Sequence, residues 1–309
     1  MIVTLGESLV DVIGDKAYVG GSPLNVAMAA SRLDSSVAYV GRISSDEYGK
    51  QILDRLIEDL VFFEPRLCNT EKPTSSSKAI VQASGDVSYS FSFDGTAAMS
   101  TTSDDILLGF ESIADLEYVF TGSVALACEP CGSAIEDVIS GLDDDVVVFI
   151  DPNVRVSAAK DMEKLKQRLE RMFRRADVVR FSSDDIEALY GDVEDGWVAE
   201  RMANLGVGNL IITRGRHGSS WYCGDLVLNE PAMEVDVVDT IGCGDTFDGS
   251  ILHCLDRLGY HENRQLGENE IRKILKFAAL AATENCRRKG CNPPRLGDCR
   301  ELDEIESSL

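Results

Sequence analysis

Two patterns of apolar and polar positions alternate along the chain. Short, nearly continuous apolar runs are typical of strands buried on both faces of a parallel sheet. They recur at 1–12, where Gly6-Glu7-Ser8 interrupts the run, and at 36–41, 117–122, 146–150, 177–181 and 209–213. Segments with helical spacing separate them, at 49–60, 130–141, 162–175 and 195–205. This alternation predicts βαβ units and a doubly wound, mostly parallel α/β sheet flanked by helices.

One stretch departs from that alternation. Residues 70–92 are rich in Ser and Thr, and two β-prone segments, 79–83 and 87–93, flank a Gly85-Asp86 turn. The pattern predicts a β-hairpin. Three large apolar residues there either cover a ligand or simply pack the sheet: Phe91, Phe93 and Met99. The chain contains no internal repeat or low-complexity linker, so residues 1–309 are predicted to form a single domain.

Composition limits the possible partners. The formal net charge is −23, from 53 acidic and 30 basic side chains. Nucleic acid and anionic membranes are not expected as partners, because both need clustered Lys and Arg. We find no signal-peptide pattern and no apolar stretch long enough to span a membrane. The nine cysteines are scattered, and the lone Cys128-x-x-Cys131 pair has no histidine at metal-ligand spacing. We therefore expect a cytoplasmic protein with reduced thiols.

The chemistry-bearing residues are concentrated in the stretch 239–247, which reads DTIGCGDTF. A strand-like run, 233–238, precedes it, and a helix-like run, 247–258, follows. Glycines at such a turn allow backbone N–H groups to converge, and the start of a helix favours anions. Asp245 is then either an ordinary partner of the helix dipole or a base that accepts a proton from an attacking hydroxyl.

The D-T-x-G-x-G-D pattern at 239–245 resembles the C-terminal signature of the ribokinase-like family of sugar kinases, the phosphofructokinase B type. The resemblance implies a ribokinase-like fold with a small β-lid, a small-molecule sugar as substrate, and ATP and Mg²⁺ as cofactors. It implies that Asp245 is the catalytic base and that the amides of Gly242, Cys243 and Gly244 form the anion hole. Cys243 departs from the family, which usually has alanine or glycine there. No P-loop motif occurs elsewhere, so the phosphates must rest on this turn.

Two N-terminal segments resemble the same family. The opening G-E-S-L-V-D and the G-G-S-P-L-N of residues 20–25 imply that Asp11, Gly21 and Asn25 bind the sugar. From the residues alone, Asp11 either ends a central strand or makes a local turn, and the glycine pair forms a tight turn before a helix. The family places a β-lid near 12–20 and 70–98. Only eight residues separate Asp11 from Gly20, so we expect a reduced lid on that side.

The remaining resemblances concern strand ends. D-P-N-V-R at 151–155 is similar to fructokinase-like and ketodeoxygluconate kinase-like members, in which Arg155 would pair with a phosphoryl or substrate oxygen. A surface salt bridge is the alternative. S-S-D-D at 182–185 replaces the family's N-x-x-E, which implies a nucleotide role for Ser182 and a magnesium role, through water, for Asp185. A solvated acidic helix start explains the same residues.

Two C-terminal segments complete the resemblance, which extends to about residue 302. The T-R-G-R-H-G stretch resembles the family's nucleotide loop and implies that Thr213, Gly215 and Gly218 approach ATP. Residues 286–294 resemble its closing loop near the adenine, and Asn285 is predicted to line that pocket.

These resemblances imply ATP-dependent phosphorylation of a sugar primary hydroxyl, with fructose or a related ketose or sugar acid as first choice. A nucleoside kinase of the adenosine type and a non-catalytic sugar-binding relative are the alternatives. A redox role is a further hypothesis, because the thiol of Cys243 near a helix N-terminus is expected to have a lowered pKa. The family also implies a possible homodimer through exposed lid strands.

Overall fold

The computed structural model describes residues 1–14, 16–81 and 87–309. Its strands, in chain order, are β1 (Ile2–Leu5), β2 (Leu9–Ile13), β3 (Lys16–Gly20), β4 (Val37–Val40), β5 (Phe62–Phe63), β6 (Ser75–Val81), β7 (Val87–Ser92), β8 (Tyr118–Gly122), β9 (Val147–Asp151), β10 (Val178–Ser182), β11 (Asn209–Thr213), β12 (Ser219–Cys223) and β13 (Leu226–Glu230). Its helices are α1 (Ser22–Arg32), α2 (Glu47–Glu58), α3 (Ser103–Phe110), α4 (Cys131–Ser140), α5 (Met162–Phe173), α6 (Ser183–Tyr190), α7 (Asp195–Leu205), α8 (Cys243–Arg257), α9 (Tyr260–Asn263), α10 (Glu268–Cys286) and α11 (Arg300–Glu306).

The main sheet, within the described residues, has the order β13-β12-β11-β10-β9-β8-β1-β4-β5. Every pair from β11 to β5 is parallel, and the β11–β12 and β12–β13 pairs at one edge are antiparallel. Successive residues of one strand face opposite sides: Ile2 belongs to one apolar cluster and Val3 to the other. Helices α1, α8 and α10 pack in the first cluster, and α4, α5 and α7 in the second. The predicted doubly wound, mostly parallel sheet is confirmed.

A second, four-stranded sheet forms the lid and has the order β3-β2-β6-β7. The predicted pairing of the 79–83 and 87–93 segments appears as the antiparallel β6–β7 pair, although the Gly85-Asp86 turn lies outside the described residues. The segment expected to be reduced still supplies a two-stranded hairpin, β2–β3. Phe93 and Met99 are buried with Leu9 beneath this sheet, so they pack the lid.

The apolar run 1–12 was predicted as a nearly continuous strand interrupted at Gly6-Glu7-Ser8, and it forms two strands in different sheets. Gly6, at φ 141°, lies between β1 in the main sheet and β2 in the lid. A Cβ at Gly6 would lie 2.7 Å from Cγ of Pro23, so the chain passes tightly against the start of α1 here. Asp11 consequently lies in the middle of a lid strand. The prediction that it ends a central strand is wrong.

The run 233–238, predicted as the strand before the phosphate turn, does not form a strand. Val237 and Val238 are 57% and 63% exposed. The neighbour of this segment is the end of α10, since the N–H groups of Val238 and Asp239 both donate to the carbonyl of Cys286. The segment therefore has the alternating pattern of a strand but does not pair with any described strand. None of the helices in the described part of the chain is long and apolar enough to cross a membrane.

Candidate active site

The turn that precedes α8 is fixed by tight packing. Gly242 is the N-cap of α8 with φ 73°, and a Cβ there would lie 2.3 Å from Sγ of Cys291. Only glycine fits this backbone and this space. The carbonyl of Gly242 accepts from the N–H of Thr246 at 2.8 Å, and the N–H of Cys243 donates to Thr240 at 3.3 Å. The first N–H groups of a helix have no partner within it, so this end of α8 can receive an anion.

Asp245 lies in the first turn of α8, where α1 and α8 meet. Its Oδ1 accepts from Oγ of Ser22, and its Oδ2 accepts from Nδ2 of Asn25, both at 2.7 Å. Burial raises the pKa of Asp245, which is 8% exposed, while the two hydrogen bonds and the charges of nearby arginines oppose the rise. The carboxylate is thus held in one orientation and made more basic, which suits a general base.

Helices α1 and α8 approach closely, which places Asp245 beside Ser22 and Asn25. A Cβ at Gly249 of α8 would lie 2.6 Å from Cβ of Ala29 in α1. Gly21 precedes α1 at φ 107°, and a Cβ there would lie 2.5 Å from the carbonyl of Glu7. The buried carboxylate of Glu7 accepts from the N–H groups of Ser22 and Ala125, each at 3.2 Å. Gly21 and Glu7 therefore fix the position at which α1 begins.

The predicted sugar residues converge from different elements. Asn25 touches Asp245, and Oδ2 of Asp11 would lie 2.9 Å from a Cβ at Gly20, next to Gly21. Burial raises the pKa of Asp11, whereas a hydrogen bond from Ser77 and the charge of Arg155 oppose the rise. The charge of Arg155 also acts on Asp245.

Arg155 is exposed at the site rather than paired. Its Nη1 donates to the carbonyls of Asn153 and Val154 at 3.5 and 3.4 Å. The ion pairs of the described residues do not include it, so the surface salt bridge considered as an alternative is not found in that part of the chain. Its guanidinium lies close enough to Asp11 and Asp245 to lower the pKa of each.

A buried charge cluster that the sequence reading missed lies behind the turn. Arg180 in β10 donates to Oδ2 of Asp151 at 2.8 Å and to Oγ1 of Thr213 at 2.6 Å. Its Nη1 is 3.8 Å from Oδ2 of Asp248 in α8 and would be 3.1 Å from a Cβ at Gly244. Burial alone would lower the pKa of Arg180, but its interactions with Asp151, Asp248 and Asp185 raise it. A single arginine within the apolar strand 177–181 was the available sign.

Asp248 belongs to that cluster, and its surroundings favour the protonated form of its carboxyl group. Its pKa is raised well above the ordinary value, first by burial and then by the charge of Asp151. A hydrogen bond with the carboxyl group of Asp151 raises the pKa of Asp248 further. Arg180 forms a buried ion pair with Asp151 at 2.8 Å.

The predicted nucleotide loop forms a tight turn from β11 to β12. Thr213 ends β11, and the N–H of Arg214 donates to the carbonyl of Gly218 at 2.8 Å. A Cβ at Gly218 would lie 2.2 Å from the carbonyl of Glu230, so packing explains that glycine. A Cβ at Gly215 would meet nothing within 4 Å. The Gly215 side of the loop is open to an approaching ligand.

Comparison with known proteins identifies the family. The family model described as pfkB family carbohydrate kinase matches residues 3–296. The chain belongs to the pfkB family of carbohydrate kinases. It is 33% identical to a fructokinase of Rhizobium leguminosarum bv. trifolii over 267 residues, which cover 82% of this chain and 79% of that protein. The enzyme is accordingly an ATP-dependent sugar kinase.

Solved structures agree with the fold. A fructokinase from Xylella fastidiosa with bound ATP superimposes with a TM-score of 0.85 at 22% identity, and 99% of each chain is covered. A fructokinase from Vibrio cholerae O395 in the fructose, ADP and calcium ion bound form gives a TM-score of 0.79 at 24% identity and covers 94% of each chain. The ribokinase-like architecture with its lid is confirmed.

In this pfkB-family kinase, Asp185 has a structural task. It is 2% exposed, its Oδ2 accepts from the N–H and Oγ of Ser182, and its Oδ1 accepts from the N–H of Val154 at 2.6 Å. Ser182 is thereby the N-cap of α6, and the Asp185 carboxylate ties α6 to the 151–155 loop. No group of three or more His, Cys, Asp or Glu that could hold a metal occurs in the described residues.

Two predictions about the turn need correction. Asn285 is fully buried, donates to the carbonyl of Ile241 at 2.9 Å and accepts from the N–H of Asn292 at 2.8 Å. It supports the turn and does not line an open adenine pocket. The pKa of Cys243 is raised, not lowered, first by its hydrogen bond with Cys286 and then by burial.

Proposed function

We propose that this pfkB-family kinase transfers the γ-phosphoryl group of ATP to a primary hydroxyl of fructose or a related ketose or sugar acid. The observation that carries the proposal is the buried Asp245, oriented by Ser22 and Asn25 at the start of α8. The fructokinase among its relatives, at 33% identity, favours fructose as the first substrate to test.

Asp245 is proposed to accept the proton of the attacking hydroxyl. Each carboxylate oxygen already accepts one hydrogen bond and retains a further lone pair for the substrate. The raised pKa makes proton transfer from an alcohol less unfavourable than it is for an ordinary aspartate. The geometry also holds the base still while the alkoxide develops.

The sugar is proposed to lie among Asp11, Gly21, Asn25 and Arg155. Oδ1 of Asn25 is buried and has no hydrogen-bond partner within the described chain. Since an unpaired buried carbonyl is unfavourable, it marks a place for a donor such as a sugar hydroxyl. The charge of Arg155 acts on both Asp11 and Asp245, and its exposed guanidinium is proposed to bind a substrate oxygen.

The phosphates are proposed to rest on the turn formed by Gly242, Cys243 and Gly244, with Thr213 and the open side of Gly215 next to the nucleotide. The residues fit an anion, because a helix begins there and the guanidinium of Arg180 lies against Gly244. When Mg²⁺ is bound, it neutralises charge on the phosphate oxygens, and it is held mainly by phosphates and water. Ser182 and Asp185 are proposed to act on that region only by holding the 151–155 loop.

The test is ADP release from Mg-ATP with fructose, ribose, ketodeoxygluconate, tagatose 6-phosphate and adenosine, for the native chain and for Asp245→Asn. Turnover with fructose or a related sugar, lost by about 10²–10⁴-fold in Asp245→Asn with ATP binding retained, supports the proposal. Turnover with adenosine alone would indicate the nucleoside alternative. ATP binding without turnover on any acceptor would favour the non-catalytic alternative.

Two further properties belong to the same proposal. We expect the enzyme to be cytoplasmic, and we expect a homodimer through the lid. β3 and β7 are the edge strands of the lid sheet, and edge strands offer unpaired backbone groups to a second copy. Sedimentation of the native chain at several concentrations distinguishes a dimer from a monomer.

A further inference from the structure

A pair of thiols lies beside the phosphate-binding turn. The Sγ atoms of Cys243 and Cys286 are 2.6 Å apart, and both side chains are partly accessible to solvent. Cys243 is the first residue of α8, and Cys286 is the last residue of α10. A disulfide has an S–S separation of about 2.05 Å, so the sulfurs need to move together by only about half an ångström.

We propose that Cys243 and Cys286 form a reversible disulfide, and that its formation slows phosphoryl transfer. The bond would link α8 to α10 across 43 residues of sequence. The first half of the proposal depends only on the two thiols. The second half rests on the role proposed above for the 242–245 turn.

The two thiols have different pKa values, and Cys286 is therefore the nucleophile in disulfide exchange. A hydrogen bond joins the two thiols, and it lowers the pKa of Cys286 to about 7. The same bond and burial raise the pKa of Cys243. Near neutral pH, Cys286 therefore carries substantial thiolate, which is the reactive form in disulfide exchange.

The reaction is ordinary exchange with a low-molecular-weight disulfide. The thiolate of Cys286 attacks one sulfur of the reagent, the reagent S–S bond breaks, and one thiolate leaves. Cys243 then gives its proton to solvent and attacks the sulfur of Cys286 in the mixed disulfide, which expels the second thiolate. The cysteine pair loses two electrons, the reagent gains two, and a dithiol reductant reverses both steps.

The other cysteines near the turn lack this arrangement. Cys291 packs under Gly242, but burial raises the pKa of its thiol, which keeps it protonated and unreactive. Cys68, which serves as the control below, has a pKa raised by burial to about 12. A thiolate metal site is not an alternative in the described residues, since no suitable group of ligands is present there.

The bond would act on catalysis through the position of the turn. The segment before α8 already rests on α10, because Val238 and Asp239 donate to the carbonyl of Cys286 and Asn285 donates to Ile241. Pulling Cys243 closer to α10 moves the amides at the start of α8 relative to Asp245. Misplacement of reacting groups by 1 Å can lower a rate by about 10²-fold, so we expect about a tenfold loss of kcat.

The experiment treats the full chain with oxidised glutathione and follows three readouts: intact mass, the cross-linked peptide joining residues 243 and 286, and kcat before and after dithiothreitol. We expect a loss of two hydrogen atoms, the 243–286 peptide, and about tenfold slower turnover that dithiothreitol restores. Each variant is scored by the ratio of its own oxidised and reduced rates. Cys286→Ser should lose the linkage and the rate response, whereas Cys68→Ser should keep both.

The possible results test the formation of the disulfide and its effect on phosphoryl transfer separately. Absence of the 243–286 peptide, or glutathione retained on Cys286 as the end product, overturns the disulfide. A linked protein with unchanged kcat overturns the effect on catalysis. If the reduced enzyme phosphorylates none of the acceptors, the proposed substrate class fails. The peptide map of the native chain still decides whether the disulfide forms. Thermal unfolding of Cys286→Ser shows that this variant is folded when it loses the linkage.

Discussion

The hydrogen bond from Ser22 to Asp245 should control the pH at which the enzyme works. Oγ of Ser22 lies 2.7 Å from Oδ1 and is buried with it. A hydrogen bond to a charged group contributes about 1.5–3 kcal/mol, and it favours the ionised carboxylate. In Ser22→Ala that stabilisation of the carboxylate is lost, so the pKa of Asp245 rises further. A base acts only when deprotonated, and its loss of protons then begins at higher pH.

The expected result is an acid limb of the kcat profile that moves upward by about one pH unit, since one unit corresponds to 1.36 kcal/mol. Turnover near pH 6 falls severalfold, while turnover on the alkaline plateau falls much less. The assay is ADP release with saturating Mg-ATP and sugar from about pH 5 to about pH 9, which spans the acid limb and the plateau.

Ser100→Ala is the matched control. Ser100 is also a buried serine, but its hydroxyl donates to the carbonyl of Ala97 and touches no carboxylate. Its acid limb should stay where the native enzyme has it. If Ser22→Ala lowers turnover equally at every pH, Ser22 only orients Asp245. If both variants move the limb equally, the proposed link between this hydrogen bond and the base is refuted.

Substitutions at three other positions test the surrounding structure. Gly242→Ala places a methyl group against Cys291 at positive φ, so we expect weaker ATP binding in calorimetry and a loss of about 1–3 kcal/mol in urea unfolding. Arg180→Met leaves buried acids without their cation and should cost about 3–5 kcal/mol in the same measurement, with partial recovery in Arg180→Lys. Burial raises the pKa of Glu7 from 4.5 to about 7, so its proton stabilises the fold fully below pH 4.5 and that stabilisation, up to about 3 kcal/mol, is lost as pH rises through 7. The Tm of the native chain relative to Glu7→Gln should fall over that interval; a constant difference would contradict the shift.

Much of the architecture could be predicted because parallel sheets have a local signature. Buried strands such as 146–150 are apolar on both faces, and the helices between them have a regular period. The same rule failed at 233–238, where apolar alternation exists without a neighbouring strand. It failed again at Gly6, where one apolar run divides between two sheets. Local pattern shows that a segment favours extended backbone and says nothing about what pairs with it.

The candidate site was predictable only where its chemistry is contiguous. The 239–245 motif identified Asp245 because the glycines and the carboxylate are adjacent in sequence. Ser22 escaped notice, although its neighbours were selected, because its contact with Asp245 spans 223 residues. The thiol pair was missed for the same reason. The lowered pKa expected for Cys243 instead belongs to Cys286, because the environment of a thiol depends on its neighbours in space.

The buried cluster behind the turn resolves a conflict in the charge of the site. A carboxylate at an anion-binding turn repels phosphate, and α8 presents two, Asp245 and Asp248. The raised pKa of Asp248 favours its neutral form and Arg180 pairs with Asp151, so these three residues add little negative charge to the turn. The guanidinium of Arg180 also lies against Gly244, where a Cβ would be 3.1 Å from its Nη1, and its charge favours the ionised form of Asp245. The turn can therefore bind phosphate and keep an ionised base beside it.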